Sequence, residues 1–239
     1  MSNVLYPMIY KEDMKISLVK GNNKLGKGVY AFNLLPGAEP LTVSTKGKLT
    51  DIHGTCVGCC DGCEDYCYAV KDAKRYHNTC IPSLAKNTLI MRNNLNGMFQ
   101  QLKNAIVEKK VKTLRYHSSG EIESYEYLVK MAELAEEMPQ VKFYFYTKRF
   151  NILENYLKYN GKLPDNLVAN VSEWKGNTQG YKLDGLNVFM YDDGTDPAIK
   201  SVVHCPAVDT KGHKTGVTCD QCGRCFNKND GHVTAVYAH

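Results

Sequence analysis

The sequence predicts an α/β protein: a partial (half) parallel β/α barrel with an N-terminal β segment before it and a cysteine-rich segment after it. Between residues 111 and 191, apolar strand-like runs alternate with amphipathic helical stretches. Short strand–helix–strand repeats of this kind are typical of a parallel sheet with right-handed crossovers. The repeats are too few for a closed eight-fold barrel, which favours an open half-barrel.

The length of 239 residues is sufficient for one domain with its own core. No repeat and no low-complexity linker divides the chain, so we expect a single domain over 1–239. Its expected parts are a β segment at 1–53, a cysteine loop with the half-barrel at 54–203, and a cysteine-rich cluster segment at 204–239.

The first fifty residues are expected to form strands and turns. Apolar and polar side chains alternate over 28–49, with predicted turns at PGAEP (36–40) and TKGK (45–48). The glycine-punctuated cysteine stretch after them is predicted to be a loop. Two helices are predicted over 82–94 and 95–110, where apolar residues recur every three or four positions.

The alternating part of the chain begins with a predicted strand, VKTLRYH, at 111–117. An amphipathic helix is predicted over 124–138, and Pro139 ends it because proline cannot continue a helix. The later predicted elements are a strand at 141–148, a helix at 151–161, and strands at 166–172, 186–191 and 232–239.

Composition and charge exclude several classes of protein. The chain has 43% hydrophobic residues and a formal net charge of +5, which is ordinary for a globular protein. Its lysines are scattered, so nucleic acid is kept as an alternative partner and is not the prediction. No run approaches the roughly 18 apolar residues of a membrane span, and the first residues do not resemble a signal peptide. We therefore expect no membrane partner and a cytoplasmic location.

Ten cysteines are the strongest functional signal in the sequence. A cytoplasm keeps thiols reduced, and disulfide scaffolds are typical of short secreted chains, so metal binding is the better interpretation.

The C-terminal cysteines have the sharper spacing. In CDQCGRC, two residues separate Cys219 from Cys222 and two separate Cys222 from Cys225. Three cysteines in such a series, with a distant fourth such as Cys205, form the ferredoxin-type pattern. Zinc sites more often take paired cysteines from two loops. We predict a [4Fe–4S] cluster here, with zinc as the alternative and Phe226 as a shield against water.

The N-terminal cysteines leave several ligand sets open. GTCVGCCDGCEDYCYAV, at 54–70, contains Cys56-x3-Cys60-x2-Cys63, Cys56-x6-Cys63-x3-Cys67 and the zinc-type Cys56-x2-Cys59. A cubane cluster needs three or four thiolates, so at least one cysteine is spare. Spacing does not choose between Cys59 and Cys60. Cys80 is either a remote ligand or a buried apolar residue, and His204 is either structural or functional.

Polar residues follow the carboxyl ends of the predicted strands, where parallel α/β sheets bind ligands. The predicted cofactor-binding residues are Ser118, Ser119, Gly120 and Glu121. Their small turn would bring backbone amides to a ligand, and Glu121 would accept an amine or a cation. The catalytic candidates are Glu121, His117 and Lys148. The alternative is helix capping, for which Ser124 and Asn151 are placed.

Several segments in order resemble the phage gene-product-88 family: TCVGCCDGCEDYCYAV, LRYHSSGEIESYEYLVKMAELAEEMP, VKFYFYTKR and HCP…CDQCGRC. The resemblance covers roughly residues 25 to 239. It implies a bacteriophage protein in the bacterial host cytoplasm that carries cysteine-bound iron–sulfur metal. The implied ligands are Cys56, Cys63, Cys67, Cys205, Cys219, Cys222 and Cys225, with Cys60 and Cys59 in second rank.

A more distant similarity is to radical S-adenosylmethionine enzymes, which combine a partial barrel, a three-cysteine loop and a small-small-Gly-Glu turn. Cys56-x3-Cys60-x2-Cys63 has their spacing, and SSGE at 118–121 looks like their amine-binding turn. S-adenosylmethionine is therefore a further cofactor that this similarity implies. Gly62 stands where an aromatic residue is usual, and Cys59 or Cys67 would close the open iron site. The similarity indicates kinship of fold more than radical chemistry.

Three functional hypotheses follow. The first is an iron–sulfur protein with one or two [4Fe–4S] clusters, in electron transfer or as a redox enzyme with an unidentified redox partner or host protein. The second is a zinc-stabilised module that binds nucleic acid or a host protein. The third is a radical S-adenosylmethionine enzyme. The sequence has no Gly-x-Ser-x-Gly elbow and no phosphate-binding glycine loop, so simple hydrolase chemistry has no support.

Overall fold

The computed structural model describes residues 10–45, 48–58, 63, 67–174 and 176–237. Within them the strands are β1 (Leu18–Lys20), β2 (Val29–Phe32), β3 (Pro40–Thr45), β4 (Lys48–His53), β5 (Thr113–Tyr116), β6 (Lys142–Thr147), β7 (Leu167–Glu173), β8 (Asn187–Asp192) and β9 (Val233–Tyr237). The α-helices are α1 (Tyr68–Arg75), α2 (Cys80–Asn93), α3 (Leu95–Glu108), α4 (Tyr125–Glu137), α5 (Phe150–Asn160) and α6 (Cys219–Cys222). None of these helices is both long enough and apolar enough to span a membrane.

The described strands form a mostly parallel seven-stranded sheet in the order β1-β2-β5-β6-β7-β8-β9. Each neighbouring pair from β5 to β9 is parallel. Helix α4 connects β5 to β6, and α5 connects β6 to β7, so the predicted strand–helix–strand units are confirmed. A mixed α/β class is therefore correct. The strand order shows which strands are paired, but it does not show how strongly the sheet curves. The half-barrel therefore stays a prediction.

The central strands are buried along consecutive residues. In β6, Phe143, Tyr144 and Phe145 are each at most 1% exposed, and Phe143 pairs with Leu167 in β7. Such continuous apolar runs are typical of parallel strands that are covered on both faces. Because both faces of these strands are covered, we expect a ligand-binding site at their polar ends.

The chain divides into two compact units. The first unit comprises residues 1–19, 32–110 and 117–123, and the second comprises 20–31, 111–116 and 124–239. Each has its own described core cluster. The first packs around Leu35, Val43, Ile52, Ala73, Ile81, Ala85 and Leu89. The second packs around Leu25, Val29, Ala31, Tyr144, Val168 and Phe226. The single-domain organisation stays a prediction.

The first unit contains an antiparallel hairpin in which Pro40 of β3 is opposite His53 of β4. The chain bends at 37–39, within the predicted turn at 36–40. The predicted turn at 45–48 includes residues 46 and 47, which lie outside the described residues.

The first residues of α4 and α5 test the two predicted helix caps, Ser124 and Asn151. Ser124 caps α4, since its Oγ accepts a hydrogen bond from the Tyr127 amide at 3.2 Å, and this prediction is confirmed. Asn151 as a cap is wrong, because α5 begins at Phe150 after Arg149. Helix α1 was not expected at all. It begins directly after Cys67, inside the stretch that glycines led us to treat as a loop.

Candidate metal centres

The four C-terminal cysteines all lie in the second unit. Helix α6 carries Cys219 and Cys222, and a 3-10 turn over Arg224–Phe226 carries Cys225. Cys205 comes from a separate segment of the chain. Its backbone amide donates to the Ala235 carbonyl of β9 at 2.7 Å. Two segments of the chain thus supply the predicted ligand set.

Local sequence explains the tight turn through the CDQC helix. The Thr218 amide and hydroxyl both donate to Gln221 Oε1, at 3.0 and 2.8 Å, and these bonds secure the helix start. Gly223 ends the helix with φ 70°, a left-handed conformation that favours glycine. After this reversal, Cys225 packs with Cys219 against the core cluster of the second unit.

A loop before β2 holds α6 in place. The amides of Cys219 and Asp220 donate to the carbonyls of Lys24 and Leu25, at 2.8 and 3.1 Å. In return the Gly28 amide donates to Asp220 Oδ2 at 3.2 Å. A Cβ on Gly26 would lie 2.0 Å from Asp220 Oδ1, and its φ is +87°. Only glycine allows this close approach.

Three asparagines attach the segment after Cys225 to the sheet. Asn170 Nδ2 in β7 donates to the Cys225 carbonyl at 2.9 Å. Asn187 in β8 donates to the Lys228 carbonyl at 2.8 Å and accepts from the Asp230 amide at 3.1 Å. In return, Asn229 of this segment bonds to the backbone of β7. Its side chain donates to the Leu167 carbonyl and accepts from the Ala169 amide, both at 3.0 Å. The cysteine segment is therefore held by the buried amides of Asn170 and Asn187 and by the half-buried amide of Asn229.

The thiols of the second unit are buried and affect one another. The pKa of Cys225 is raised to about 11, mainly by burial. A hydrogen bond from Tyr146 lowers this pKa, and the neighbouring thiols Cys205 and Cys219 raise it. Burial is also the first cause of the raised pKa of Cys219. Thiolates in such surroundings repel one another, so a bound cation would relieve the repulsion.

His204, next to Cys205, contacts two oxygen atoms and an aromatic ring of the second unit. Its Nε2 lies 2.9 Å from Asp192 Oδ2, and its Nδ1 lies 2.9 Å from the Val202 carbonyl oxygen. The ring stacks on Tyr237 at 4.1 Å, and the bond from His204 is the main reason that the pKa of Asp192 is lowered. An adjacent open cavity of about 410 Å³ is lined by Asp192, His204 and Tyr237, among others.

Three of the N-terminal cysteines, Cys56, Cys63 and Cys67, belong to the first unit. The Cys56 amide donates to the Gly37 carbonyl at 3.0 Å. Burial raises the pKa of its thiol well above the ordinary value, and the charges of Glu121, Cys67 and Cys63 raise it further. Cys67 immediately precedes α1. These three cysteines and Glu121 are therefore near enough to interact electrostatically.

The second-rank ligands Cys59 and Cys60 lie outside the described residues. Cys80 is the first residue of α2 and is only partly buried. The eight cysteines that the structure describes are all thiols and not disulfides.

Arg92 anchors the chain just before Cys56. Its guanidinium binds both carboxylate oxygens of Glu123, and it donates to the carbonyls of His53 and Gly54 at 2.9 and 3.1 Å. The side chain of Arg92 is 12% exposed. One cation thus ties the end of β4 to the segment that follows the SSGE turn.

We expect Arg92→Ala to lower the free energy of unfolding by about 3 kcal/mol, because it leaves a largely buried carboxylate and two carbonyls without their donor. Urea unfolding followed by circular dichroism measures this loss. Lys162→Ala is the matched control, since the Lys162–Asp165 pair is 79% and 91% exposed and is expected to contribute less than about 1 kcal/mol. Equal losses in the two variants would contradict the anchoring role.

The donors of the SSGE turn bind the protein itself. The Ser118 amide donates to Asn33 Oδ1, the Ser119 hydroxyl to the Leu34 carbonyl, and the Glu121 amide to Thr55 Oγ1, each at 2.9 Å. These three donors therefore position the turn and are already engaged. The prediction that they bind a cofactor stays a prediction, and the charge of Glu121 is one of the causes that raise the pKa of Cys56.

The turn also has two unusual backbone positions. Gly120 has φ +87°, and a Cβ there would lie 2.7 Å from the Leu34 Cβ. His117 is 4% exposed and has φ 57°, which is uncommon for a residue with a side chain. The left-handed conformation of His117 directs the chain from β5 into the turn.

The structure separates the three catalytic candidates between the units. His117 and Glu121 lie in the first unit with Cys56, and Lys148 lies in the second unit, where it follows β6. Their convergence on one site stays a prediction. In the described part of the chain, no three His, Cys, Asp or Glu side chains are arranged as a formed metal site.

Sequence reasoning missed several residues that hold the cysteine segments. Asn170 and Asn187 carried a signal, because each is a polar residue within an otherwise apolar strand. Arg92 carried none, since arginine is common on helices without any such role.

The gene product 88 family matches residues 16–228 of the chain. Neither the curated proteins nor the solved structures contain a match.

Proposed function

From its membership of the gene product 88 family, we propose that this chain is an iron–sulfur protein with an electron-transfer or redox role. The proposed ligands of a first [4Fe–4S] cluster are Cys205, Cys219, Cys222 and Cys225. A second cluster is proposed at Cys56, Cys63 and Cys67, with Cys60 or Cys59 in reserve.

The observation that supports the proposal is that thiols from two segments of the second unit influence one another electrostatically. Cys205 influences the pKa of Cys219 and of Cys225, although it comes from a different segment. Four thiols of this kind are a suitable donor set for a cubane cluster, which is held by cysteine thiolates. Among the described residues these thiols are not arranged as a formed metal site.

The surroundings of these thiols also fit a cluster. Phe226, which follows Cys225, is 7% exposed and lies 5.2 Å from the ring of Tyr144. Such an aromatic wall excludes water, and solvent exposure is one of the factors that set cluster potentials. When bound, the cluster would accept and release single electrons, while the chain supplies thiolates, dry walls and hydrogen bonds.

The proposal extends to the setting of the protein. We propose a bacteriophage protein that acts in the host cytoplasm with a host redox protein as its partner, on a sheet that curves into a half-barrel. The support is the family membership together with the parallel strands β5 to β9. S-adenosylmethionine at the N-terminal centre is a lesser proposal, which rests on Glu121 beside Cys56.

The test is the content of iron, acid-labile sulfide and zinc in anaerobically purified protein, with an absorption spectrum of the same sample. About eight irons and eight sulfides per chain are expected for two cubane clusters. About four of each would limit the proposal to one centre. Zinc without iron would contradict the redox role and indicate a structural metal site instead.

A further inference from the structure

An open cavity lies at the carboxyl ends of β8 and β9 in the second unit. Its volume is about 410 Å³, and its lining includes Asp192, Asp193, Lys200, His204 and Tyr237. Asp192 is the last residue of β8 and Tyr237 the last of β9, and the two are partners in the parallel register. Parallel α/β sheets bind ligands at this edge, and a cavity of this size can hold a small molecule.

Part of the cavity wall is fixed by contacts within the protein. The ring of His204 stacks on Tyr237 with 4.1 Å between the ring centres, and its Nε2 lies 2.9 Å from Asp192 Oδ2. The Gly194 amide donates to the other carboxylate oxygen of Asp192 at 2.8 Å. A wall that is already ordered costs less conformational entropy when a ligand binds to it.

The turn after β8 fixes a second carboxylate at the cavity. The amide and the hydroxyl of Thr195 both donate to Asp193 Oδ1, at 2.9 and 2.5 Å. Each oxygen of a carboxylate can accept more than one hydrogen bond. Asp193 can therefore accept a donor from a ligand while it keeps its bonds within the turn.

The lining carries charges of both signs. The carboxylates of Asp192 and Asp193 are negative, and the ammonium of Lys200, in the 3-10 helix Pro197–Ser201, is positive. A ligand with one sign of charge is attracted by some of these groups and repelled by the others. A ligand with both an ammonium and a carboxylate complements all of them, and the ring of Tyr237 offers it an apolar surface.

We propose that this cavity binds a small zwitterion with an apolar side chain, which is the chemistry of a free aromatic amino acid. The ammonium of the ligand binds to Asp193, its carboxylate binds to Lys200, and its ring packs against Tyr237. The site is separate from the proposed clusters, because none of these residues is a proposed metal ligand.

The experiment is isothermal titration calorimetry of the purified protein with L-phenylalanine, phenethylamine and 3-phenylpropionate. Phenethylamine lacks the carboxylate and 3-phenylpropionate lacks the amine, while both keep the ring. L-phenylalanine is expected to bind with a Kd in the millimolar range or below. Each of the other two is expected to bind about tenfold more weakly, because it leaves one charged group of the lining unmatched.

Two variants separate the charged ends of the ligand. Asp193→Asn is expected to weaken binding of L-phenylalanine about tenfold and not to weaken binding of 3-phenylpropionate. Lys200→Gln is expected to weaken L-phenylalanine by a similar factor and not to weaken phenethylamine. The matched controls are Asp165→Asn and Lys162→Gln, which alter an exposed ion pair before β7, at the other end of the strands, and should leave every affinity unchanged.

Absence of L-phenylalanine binding at about 10 mM would overturn the proposal. So would equal affinity for the three compounds, or full affinity in both Asp193→Asn and Lys200→Gln. If Asp193→Asn fails to fold, Lys200→Gln decides with the same three compounds, since Lys200 is exposed. Iron and sulfide measured on the same samples test the proposed function separately, because binding of the amino acid is expected whether or not a cluster is present.

Discussion

If the proposed C-terminal cluster is present, replacement of both Cys219 and Cys225 by alanine is expected to remove it, and with it about four irons per chain. The two thiols pack against the core of the second unit, and their loss would leave only Cys205 and Cys222, too few for a cube. Iron and sulfide analysis of anaerobically purified protein measures the change. Because bound metal also stabilises the folded chain, the variant should be cleaved faster by proteases within its C-terminal segment.

Cys80→Ala is the matched control for this double variant. Cys80 is a partly buried thiol at the start of α2 and belongs to neither proposed ligand set. Its replacement is expected to leave iron and sulfide at the wild-type content. A double variant that keeps all of its iron would show that the C-terminal cysteines are not ligands.

Asn170→Ala is expected to lower the free energy of unfolding by about 2–3 kcal/mol, because two buried carbonyls lose their donor. Asn170 is 1% exposed, and its amide donates to the carbonyls of Phe145 and Cys225 at 3.2 and 2.9 Å. Since one of these bonds holds Cys225 to β7, a chelator should also remove iron from this variant faster. Guanidinium unfolding and the rate of iron release in the presence of the chelator measure the two effects.

The control for Asn170 is Asn160→Ala. Asn160 also makes two side-chain hydrogen bonds, to the Tyr125 hydroxyl and the Tyr156 carbonyl at 3.1 and 3.0 Å, but it is exposed at the end of α5. Water replaces such bonds, so we expect a loss of less than about 1 kcal/mol. Comparable losses at the two positions would mean that burial is not what makes Asn170 important.

The alternating middle of the chain was predictable because its elements depend on local pattern. The period of apolar residues predicted α4 and the strands on either side of it, and Ser124 was identified as the cap from its place before Tyr125. The described structure has these elements within a few residues of the predicted bounds. Parallel pairing followed from the alternation alone.

The N-terminal cysteine stretch was less predictable, because its composition favours a loop while part of it forms a helix. Its glycines and cysteines are typical of a loop, yet the residues after Cys67 form α1. That helix buries Ala69 and Ala73, and Ala73 packs in the core cluster of the first unit. Burial of small side chains thus stabilises a helix that the sequence pattern did not indicate.

The sequence by itself determined which residues are chemically able to bind metal, because thiol chemistry and serial spacing are local properties. It also determined the strand–helix alternation, which depends on neighbours within a few residues. Only the tertiary structure decided what surrounds the thiols. Tyr146 and Cys225 pack against the same core cluster, and Asn170 bonds the carbonyl of that cysteine from 55 residues away. Such contacts depend on strand pairing and on the path of the chain between them, which are set by the packing of the whole unit and leave no periodic signal in the residues themselves.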